Sequence, residues 1–256
     1  MGNYLCKVFN IMPSEKLIRT ELLLGKDALS QLQNTHVLVV GLGGVGAYCA
    51  EQLCRAGIGE MTIVDADLVE YSNFNRQLLA LENTLKRPKA EVMAERLRQI
   101  NPEIKLHVIQ EFVRDEGTEL LLSRAHYDYV VDAIDSLSPK VYLIYFALQK
   151  NFRVISAMGA GGKKDPALVK IADIKKTYQC RLAHALRKRL HRLGVKTGFK
   201  AVFSSEVVPE NAIEIDPNPD INKLSVVGTI SYMPAIFGCF MAAQVITDLT
   251  ENFCHE

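Results

Sequence analysis

The residues from Gly41 to Gly46, GLGGVG, have the types and spacing of a phosphate-binding turn. A chain leaving a buried strand here must turn sharply, let its backbone approach a phosphate, and pack the next helix against the sheet. Glycine permits all three. Asp65 follows at the distance, about 20 residues, where an acid accepts hydrogen bonds from ribose hydroxyls. This combination favours a nucleotide site over a plain strand-to-helix connection. The glycines assigned to it are Gly41, Gly43, Gly44 and Gly46.

Several hydrogen-bond donors come after Asp65, and they favour ATP over NAD. A dehydrogenase has no use for such donors, whereas cations and side-chain amides can bind the oxygens of a triphosphate. Lys89 is predicted at an exposed edge, one turn into a helix. Asp135 could hold Mg²⁺ with the phosphates as its other ligands. Taken singly, each residue could equally belong to a solvated loop or helix face. The donors are Asn73, Asn75, Arg76, Gln77 and Lys89.

These residues need a sheet that brings them to one place. Apolar runs typical of buried strands alternate with segments of helical periodicity. The pattern predicts a Rossmann-like α/β fold, a doubly wound, mainly parallel sheet with helices on both faces and ligands at the carboxyl ends of its strands. The predicted strands are 37–40, 61–64, 105–109, 129–133 and 153–156. The predicted helices are 45–56, 89–100, 118–124 and 139–150.

The chain of 256 residues, 48% of them hydrophobic, can bury one large core. We expect one domain, residues 1–256, with a nucleotide-binding part over 15–150 and a substrate-binding, closing part over 151–256. No secretory leader is evident, so a cytoplasmic setting is expected. Six cysteines form no C-x-x-C pair. A zinc site made of two such pairs is excluded, and we expect no zinc.

One apolar segment is long enough to cross a bilayer. Residues 224–247 contain no Asp, Glu, Lys or Arg. Their Ser, Thr, Gln and Pro residues make the segment only moderately apolar, which favours a strand, a turn and a proline-interrupted helix packed in a core. Membrane association is therefore not expected.

Positive charge is concentrated in one segment. Residues 163–200 contain twelve Lys or Arg and two acids, about +10 in a chain whose net charge is +1. A basic face of this kind favours an anionic partner, and RNA phosphates would fit. The alternative is a solvated helix, since residues 181–192 have helical spacing.

The chain resembles the ubiquitin-activating type of ATP-dependent adenylyltransferases. The matching elements are Arg19-x-x-x-Leu-Leu-Gly25, GLGGVG, Asp65, Asn73-x-x-Arg76-Gln77, Pro88-Lys89 and Asp135. The resemblance implies that Asp65 binds ribose, that Gly44 lies against the nucleotide, and that Arg76 and Lys89 contact the phosphates. It also implies that Asp135 serves the metal and that Arg19 reaches the site of a second copy, which makes the protein a homodimer.

Further strings are similar to one branch of that group, the tRNA threonylcarbamoyladenosine dehydratases. They are PKAEVMAERLRQINPE at 88–103, DAIDS at 132–136, GAGGKKDP at 159–166 and VFSSE at 202–206. This resemblance implies ATP-dependent cyclisation of threonylcarbamoyladenosine at position 37 of tRNA through an acyl-adenylate, with residues 163–200 binding the tRNA. Two alternatives stay open. One is activation of the carboxyl terminus of a ubiquitin-like or sulfur-carrier protein, and the other is an NAD-binding module.

Overall fold

The computed structural model describes residues 15–114, 116–220 and 223–253. Nine strands are described: β1 (His36–Val40), β2 (Glu60–Val64), β3 (Lys105–Ile109), β4 (Tyr129–Asp132), β5 (Arg153–Ala157), β6 (Val169–Asp173), β7 (Lys200–Ser204), β8 (Ile213–Asp220) and β9 (Lys223–Val227). The α-helices over the same residues are α1 (Ile18–Leu24), α2 (Lys26–Gln33), α3 (Gly46–Ala56), α4 (Lys89–Ile100), α5 (Glu116–Ser123), α6 (Leu137–Gln149), α7 (Arg181–Arg192) and α8 (Tyr232–Thr250).

Seven strands form one sheet in the order β3-β2-β1-β4-β5-β7-β6, and β8 and β9 form a separate hairpin. All neighbours in the large sheet are parallel except β6, which runs antiparallel to β7 at the edge. The strand order reverses at β1, which lies between β2 and β4. A crevice therefore opens outside the carboxyl ends of β1 and β4, the place where open α/β sheets bind ligands. The predicted doubly wound fold is confirmed.

The sheet separates two layers of apolar side chains. Val37 and Val39 of β1 pack on one face with residues of α2, α3, α4 and α8. Leu38 and Val40 pack on the other face with α5, α6 and α7. This alternation follows from the two-residue period of a strand covered on both sides. The loops of the crevice therefore follow strands that are packed on both faces.

The apolar segment 224–247 contains most of β9, a turn and most of α8. Pro234 lies in the first turn of α8, where proline is tolerated, so the helix is not interrupted. A side chain at Gly238 would put its Cβ 2.4 Å from the Val45 carbonyl oxygen, so α8 packs directly on the start of α3. Residues 232–253 are long and apolar enough to cross a membrane, with a mean hydropathy of 1.3. Because Met233, Phe237 and other residues of this helix belong to the core, we interpret α8 as a core helix.

Some features differ from the predictions. The helix predicted at 118–124 is α5, which spans residues 116–123. The helix predicted from Pro139 is α6, which begins at Leu137. Strands β6, β7 and β8 were not predicted, and the strand expected within residues 224–247 is β9, which pairs with β8. The division of the domain near residue 150 stays a prediction. Cys49, Cys54 and Cys180 are buried free thiols and Cys239 is an exposed one, whereas Cys6 and Cys254 lie outside the described residues.

Candidate nucleotide-binding site

The glycine turn connects β1 to α3 at the mouth of the crevice. Gly41 has φ of +92°, and a Cβ there would lie 2.7 Å from the Ala133 carbonyl oxygen after β4. A Cβ on Gly46 would lie 1.8 Å from the Gly41 carbonyl oxygen. These two glycines therefore let the turn fold onto itself and onto β4. The amino terminus of α3, with its free N–H groups and positive dipole end, follows directly and suits an anion.

The two middle glycines have different surroundings. A Cβ on Gly43 would meet only the Gln77 side-chain nitrogen, at 3.7 Å. A Cβ on Gly44 would meet Pro234 at 3.0 Å and the Arg76 carbonyl oxygen at 3.4 Å. Gly43 thus has open space on its Cβ side, whereas that side of Gly44 is occupied by protein. A nucleotide could reach Gly44 only through its backbone atoms.

Asp65 follows β2 and is fixed by two backbone N–H groups. Its Oδ2 accepts a hydrogen bond from the Leu42 nitrogen at 2.6 Å, and its Oδ1 accepts one from the Asp67 nitrogen at 2.8 Å. Burial raises the pKa of the Asp65 carboxyl above its usual value, against the opposing charge of Lys89 and these two N–H groups. The carboxylate is held beside the glycine turn with further acceptor positions unused by these bonds. It is therefore placed where ribose hydroxyls could donate to it.

The observed surroundings of Lys89 differ from those predicted. It is the first residue of α4, and only 4% of it is exposed, so the expectation of an exposed edge one turn into the helix is wrong. Its Nζ lies 2.8 Å from the Asp67 Oδ2. Its positive charge also opposes the rise in the Asp65 pKa that burial causes. The buried side chain reaches the loop after β2, where its ammonium pairs with the Asp67 carboxylate.

The predicted run of donors forms a compact turn after β2. Asn73 is buried, and its side-chain oxygen accepts from the Glu70 nitrogen at 3.0 Å, so this amide holds the turn itself. The Arg76 guanidinium donates to the Ser72 carbonyl at 2.7 Å and to the Asn75 side chain at 2.8 Å. Both Arg76 and Gln77 lie beside the glycine turn, as the contacts of Gly44 and Gly43 show. Repositioning Arg76 toward a phosphate would cost these two hydrogen bonds.

The two acids of the string DAIDS, Asp132 and Asp135, differ in burial. Asp132 is fully buried, and its Oδ2 accepts from the Lys140 Nζ at 2.6 Å and from the Ser156 hydroxyl at 2.6 Å. Lys140 also donates to the Ala157 carbonyl at 3.0 Å. This closed ion pair joins β4, β5 and α6 beneath the crevice. Asp135 is exposed after β4.

The exposed carboxylate of Asp135 fits a magnesium ion. Mg²⁺ is commonly bound by one or two carboxylates together with substrate phosphates and water. Asp132 cannot serve, because Lys140 and Ser156 already occupy it. Asp135 is the carboxylate of this loop that could supply a metal ligand next to the phosphates.

The glycine loop after β5 closes the other side of the crevice. The Gly162 nitrogen donates to the Gly228 carbonyl at 2.7 Å, and a Cβ on Gly161 would lie 3.0 Å from Val227. The Asn75 amide donates to the Thr229 carbonyl at 2.9 Å. The loops after β2 and β5 are therefore both tied to the segment that precedes α8.

Lys163 and Glu206, which the sequence motifs did not assign to the crevice, hold this glycine loop in place. Lys163 is buried, and its Nζ donates to the Glu206 carbonyl at 2.6 Å. Burial lowers the pKa of the Lys163 ammonium, and the negative charge of the nearby Glu206 opposes that shift. The Glu206 carboxylate in turn accepts from the Lys164 and Asp165 nitrogens, both at 2.9 Å. The strings GAGGKK and VFSSE, far apart in sequence, carried the signal of this arrangement.

Arg19 lies exposed on α1, a helix that packs on α2. On the same helix Leu22 and Leu23 are 81% and 83% exposed. Large apolar side chains with so much exposed area on one short helix are typical of a surface that another chain covers.

The basic segment 163–200 covers β6, α7 and the loops around them. Nine of its twelve cations are exposed, Arg187 and Lys200 are half-buried, and Lys163 is buried. Lys200 pairs with Asp248 at 2.6 Å. The exposed cations are Lys164, Lys170, Lys175, Lys176, Arg181, Lys188, Arg189, Arg192 and Lys196.

A glycine turn with a helix dipole behind it, beside an acid after the neighbouring strand, is the arrangement found in α/β nucleotide-binding proteins, which bind their ligands at the switch point of the sheet. The comparison with protein families identifies one family within this class of nucleotide-binding folds. The chain belongs to the ThiF family, whose model matches residues 15–255. The family resemblance inferred from the motifs is thereby confirmed.

Two curated relatives and one solved structure carry the same functional name. The chain is 35% identical over 240 residues to the tRNA threonylcarbamoyladenosine dehydratase of Bacillus subtilis (strain 168), covering 91% of this chain and 94% of that protein. It is 43% identical over 196 residues to the enzyme of that name from Escherichia coli (strain K12), covering 74% and 73%. The crystal structure of E. coli tRNA N6-threonylcarbamoyladenosine dehydratase, TcdA, in complex with ATP superimposes with a TM-score of 0.83 at 36% identity. That match covers 91% of this chain and 93% of that one.

Proposed function

We propose that this protein catalyses the ATP-dependent dehydration of N6-threonylcarbamoyladenosine at position 37 of tRNA. The single observation that carries the proposal is the switch point of the sheet, where Asp65 accepts a hydrogen bond from the glycine turn at the Leu42 nitrogen and the Lys89 charge acts on Asp65. Two relatives whose names state this activity match over about nine-tenths of their length, and one of them holds ATP. The tRNA substrate supports the cytoplasmic setting expected from the sequence.

The first step activates the free carboxylate of the threonylcarbamoyl group. A carboxylate oxygen attacks the α-phosphorus of ATP, the bond from that phosphorus to the bridging oxygen breaks, and pyrophosphate leaves. Charge builds up on the phosphate oxygens during this displacement. The amino terminus of α3 and the Lys89 ammonium provide positive potential at that place, and Arg76 can add a second cation by exchanging its bonds to the turn. Asp65 orients the ribose.

The second step closes a ring. A nitrogen or oxygen of the same modification attacks the activated carbonyl, its proton is lost, and the bond from the carbonyl carbon to the AMP oxygen breaks. The substrate has then lost the elements of water, and no enzyme thioester is required. This agrees with the buried positions of Cys49, Cys54 and Cys180, thiols that a substrate cannot reach.

Magnesium belongs to the proposal as a companion of ATP. When bound, Mg²⁺ would neutralise part of the phosphate charge. Asp135 is the ligand we assign to it, since its carboxylate is exposed after β4 whereas Asp132 is bonded to Lys140.

The active form is proposed to be a homodimer in which Arg19 acts on the partner's nucleotide. The exposed Leu22 and Leu23 of α1 support this, because a second copy covering them would bring the neighbouring Arg19 with it. A symmetric contact of this kind would complete both sites at once.

The tRNA is proposed to lie along the basic segment 163–200. This segment begins at the end of the glycine loop after β5 and continues to the exposed face of α7. A tRNA bound there through its phosphates could present its modified base to the crevice.

The direct test is to incubate the protein with ATP, Mg²⁺ and tRNA carrying threonylcarbamoyladenosine, and to analyse the digested nucleosides by mass spectrometry. We expect a product lighter by one water and an equal amount of AMP. Unchanged nucleoside in the presence of bound ATP would overturn the proposal. Stimulation of pyrophosphate exchange by a carrier protein and not by tRNA would select the protein-activating alternative.

A lysine variant makes the test specific for the crevice. Lys89→Met removes the ammonium and keeps the buried stem, and it should abolish the product while the protein stays folded. Lys86→Met is the matched control. Lys86 also forms an ion pair with a carboxylate, Glu70, but its side chain is 63% exposed, and the variant should keep its activity.

A further inference from the structure

Three potential metal ligands meet at the sheet edge opposite the nucleotide crevice. His36 and Glu60 are the first residues of β1 and β2 and are register partners. His107 lies on β3, opposite Thr62 of β2. Because side chains alternate along a strand, Glu60 and Thr62 point to the same face, and His36 and His107 join them there. Three adjacent parallel strands thus place two imidazoles and a carboxylate together.

The distances suit one small ion. The His107 Nε2 lies 2.9 Å from the Glu60 Oε1, and the His36 Nδ1 lies 3.6 Å from the same oxygen. All three ligand atoms lie within 4.8 Å of one another. Tetrahedral zinc with bonds of about 2.1 Å separates its ligand atoms by about 3.4 Å. The two measured distances, 2.9 and 3.6 Å, therefore lie on either side of this value. The exposed His107 ring can rotate to bring its nitrogen to the tetrahedral position.

The orientation of His36 strengthens the case. Its Nε2 lies 2.9 Å from the Thr62 hydroxyl, and the edge of its ring packs on Tyr127. If Nε2–H donates to Thr62, the Nδ1 lone pair points toward Glu60 and is available to a metal. Metal-binding histidines are commonly oriented by such a hydrogen bond from the other ring nitrogen.

We propose that His36, Glu60 and His107 form a binding site for a divalent transition-metal ion of the zinc type, at the amino edge of β1, β2 and β3. Two imidazoles and one carboxylate are a ligand set that such ions accept, with a fourth position left for water. The His36 side chain is 10% exposed and those of Glu60 and His107 are 31% and 55% exposed, so an ion can enter from solvent. Bound there, it would fasten the edge strand β3 to β2 and β1.

The site could not be predicted from the sequence because its ligands come from three separate strands. The intervals between residues 36, 60 and 107 match no metal-binding spacing, and only the order β3-β2-β1 brings them together. The site is therefore separate from the cysteine-based zinc pattern that the sequence excludes.

The test measures zinc binding to the nucleotide-free full-length protein by competition with a chromophoric chelator. We expect one high-affinity Zn²⁺ per chain. His107→Ala and Glu60→Gln should each weaken it by at least about tenfold, and Thr62→Val, which removes only the orienting bond, by about tenfold. His126→Ala is the matched control, since that imidazole is 82% exposed and lies beside Asp128 outside the cluster, and it should bind as the wild type does.

Two further readouts settle the interpretation. Zn²⁺ should raise the Tm of the wild type and of His126→Ala and leave that of His107→Ala unchanged. Bound Co²⁺ should show a spectrum of nitrogen and oxygen ligands. Absence of binding by the wild type, equal binding by His107→Ala and His126→Ala, or a strong thiolate charge-transfer band would overturn the proposal.

Discussion

Gly43 is the glycine of the turn that offers open space to a phosphate. Because a Cβ there meets only a flexible side-chain nitrogen at 3.7 Å, Gly43→Ala should fold with an unchanged Tm. The methyl group would fill the space that the phosphate needs, so the Kd for ATP should rise about tenfold or more, as when a charge-assisted hydrogen bond is removed. Isothermal titration calorimetry and thermal unfolding measure the two quantities.

The control for Gly43→Ala is Gly117→Ala on α5, where a Cβ meets nothing within 4 Å. It should change neither the Tm nor the affinity for ATP. Unchanged ATP affinity in Gly43→Ala would show that the phosphates do not lie on the turn.

Individual residues were predictable from sequence where a local rule applies. The backbone demands at Gly41 and Gly46 follow from the turn they form, and the position of Asp65 follows from the end of a strand. The burial of Lys89 and the ion pair of Lys140 with Asp132 do not follow from local rules, because both depend on which elements become neighbours.

At the scale of elements, α3 and α4 are joined through one buried acid. Glu51 is 7% exposed and accepts hydrogen bonds from Arg55, at 2.9 Å, and from Arg96 of α4. Burial raises the pKa of Glu51, but the bonds from Arg96 and Arg55 outweigh it and hold the pKa below the usual value. A lowered pKa gives stability that is present at neutral pH and lost as the pH falls through that pKa.

Glu51→Gln should therefore lower the free energy of unfolding by about 1–2 kcal/mol at neutral pH, because the two arginines are partly exposed and screened. The difference from the wild type should shrink as the pH falls below the usual pKa of a glutamate carboxyl. Urea unfolding at several pH values measures it, with the exposed Glu103→Gln as the control. A difference that does not depend on pH would mean that the carboxylate charge is not the cause.

Elements were predictable where periodicity is strong. The helix at 89–100 and the strand at 105–109 agree with the structure residue for residue, since each has a clear apolar period and a clear end. Strand β8 was missed because five of its eight residues are charged or proline. Strand β6 was missed because it is a short edge strand in which two of the five residues are charged.

At the scale of the whole molecule, the charge of residues 163–200 predicts salt-dependent tRNA binding. The double variant Lys188→Glu with Arg192→Glu, on exposed positions of α7, should raise the Kd for tRNA. It should also reduce the slope of log K against log salt by about one for each phosphate that the protein no longer neutralises. Fluorescence anisotropy at several salt concentrations measures both, and the affinity for ATP should not change.

The matched control for the charge reversal is Arg98→Glu with Arg114→Glu, which changes the net charge equally outside the basic segment. It should bind tRNA more tightly than the α7 variant. Equal weakening in both would indicate net charge and not a tRNA surface.

The proposed homodimer is tested by complementation. Arg19→Ala and Lys89→Met proteins should each be inactive, but if Arg19 acts on the partner's nucleotide, a mixed dimer has one complete site. Random exchange of equal amounts of subunits makes about half of the dimers mixed, and each mixed dimer has one complete site of two. The mixture should therefore recover roughly a quarter of the wild-type rate. No recovery after exchange, verified by native mass spectrometry, would place Arg19 in its own chain's site or outside the chemistry.

The central claim is that a carboxylate of the modified tRNA attacks the α-phosphorus of ATP. The most direct measurement uses tRNA whose threonylcarbamoyl carboxylate carries oxygen-18, followed by mass spectrometry of the AMP released. Because the attacking oxygen stays on phosphorus when the ring closes, the account predicts AMP that contains one oxygen-18 atom. Unlabelled AMP, or release of ADP in its place, would contradict it.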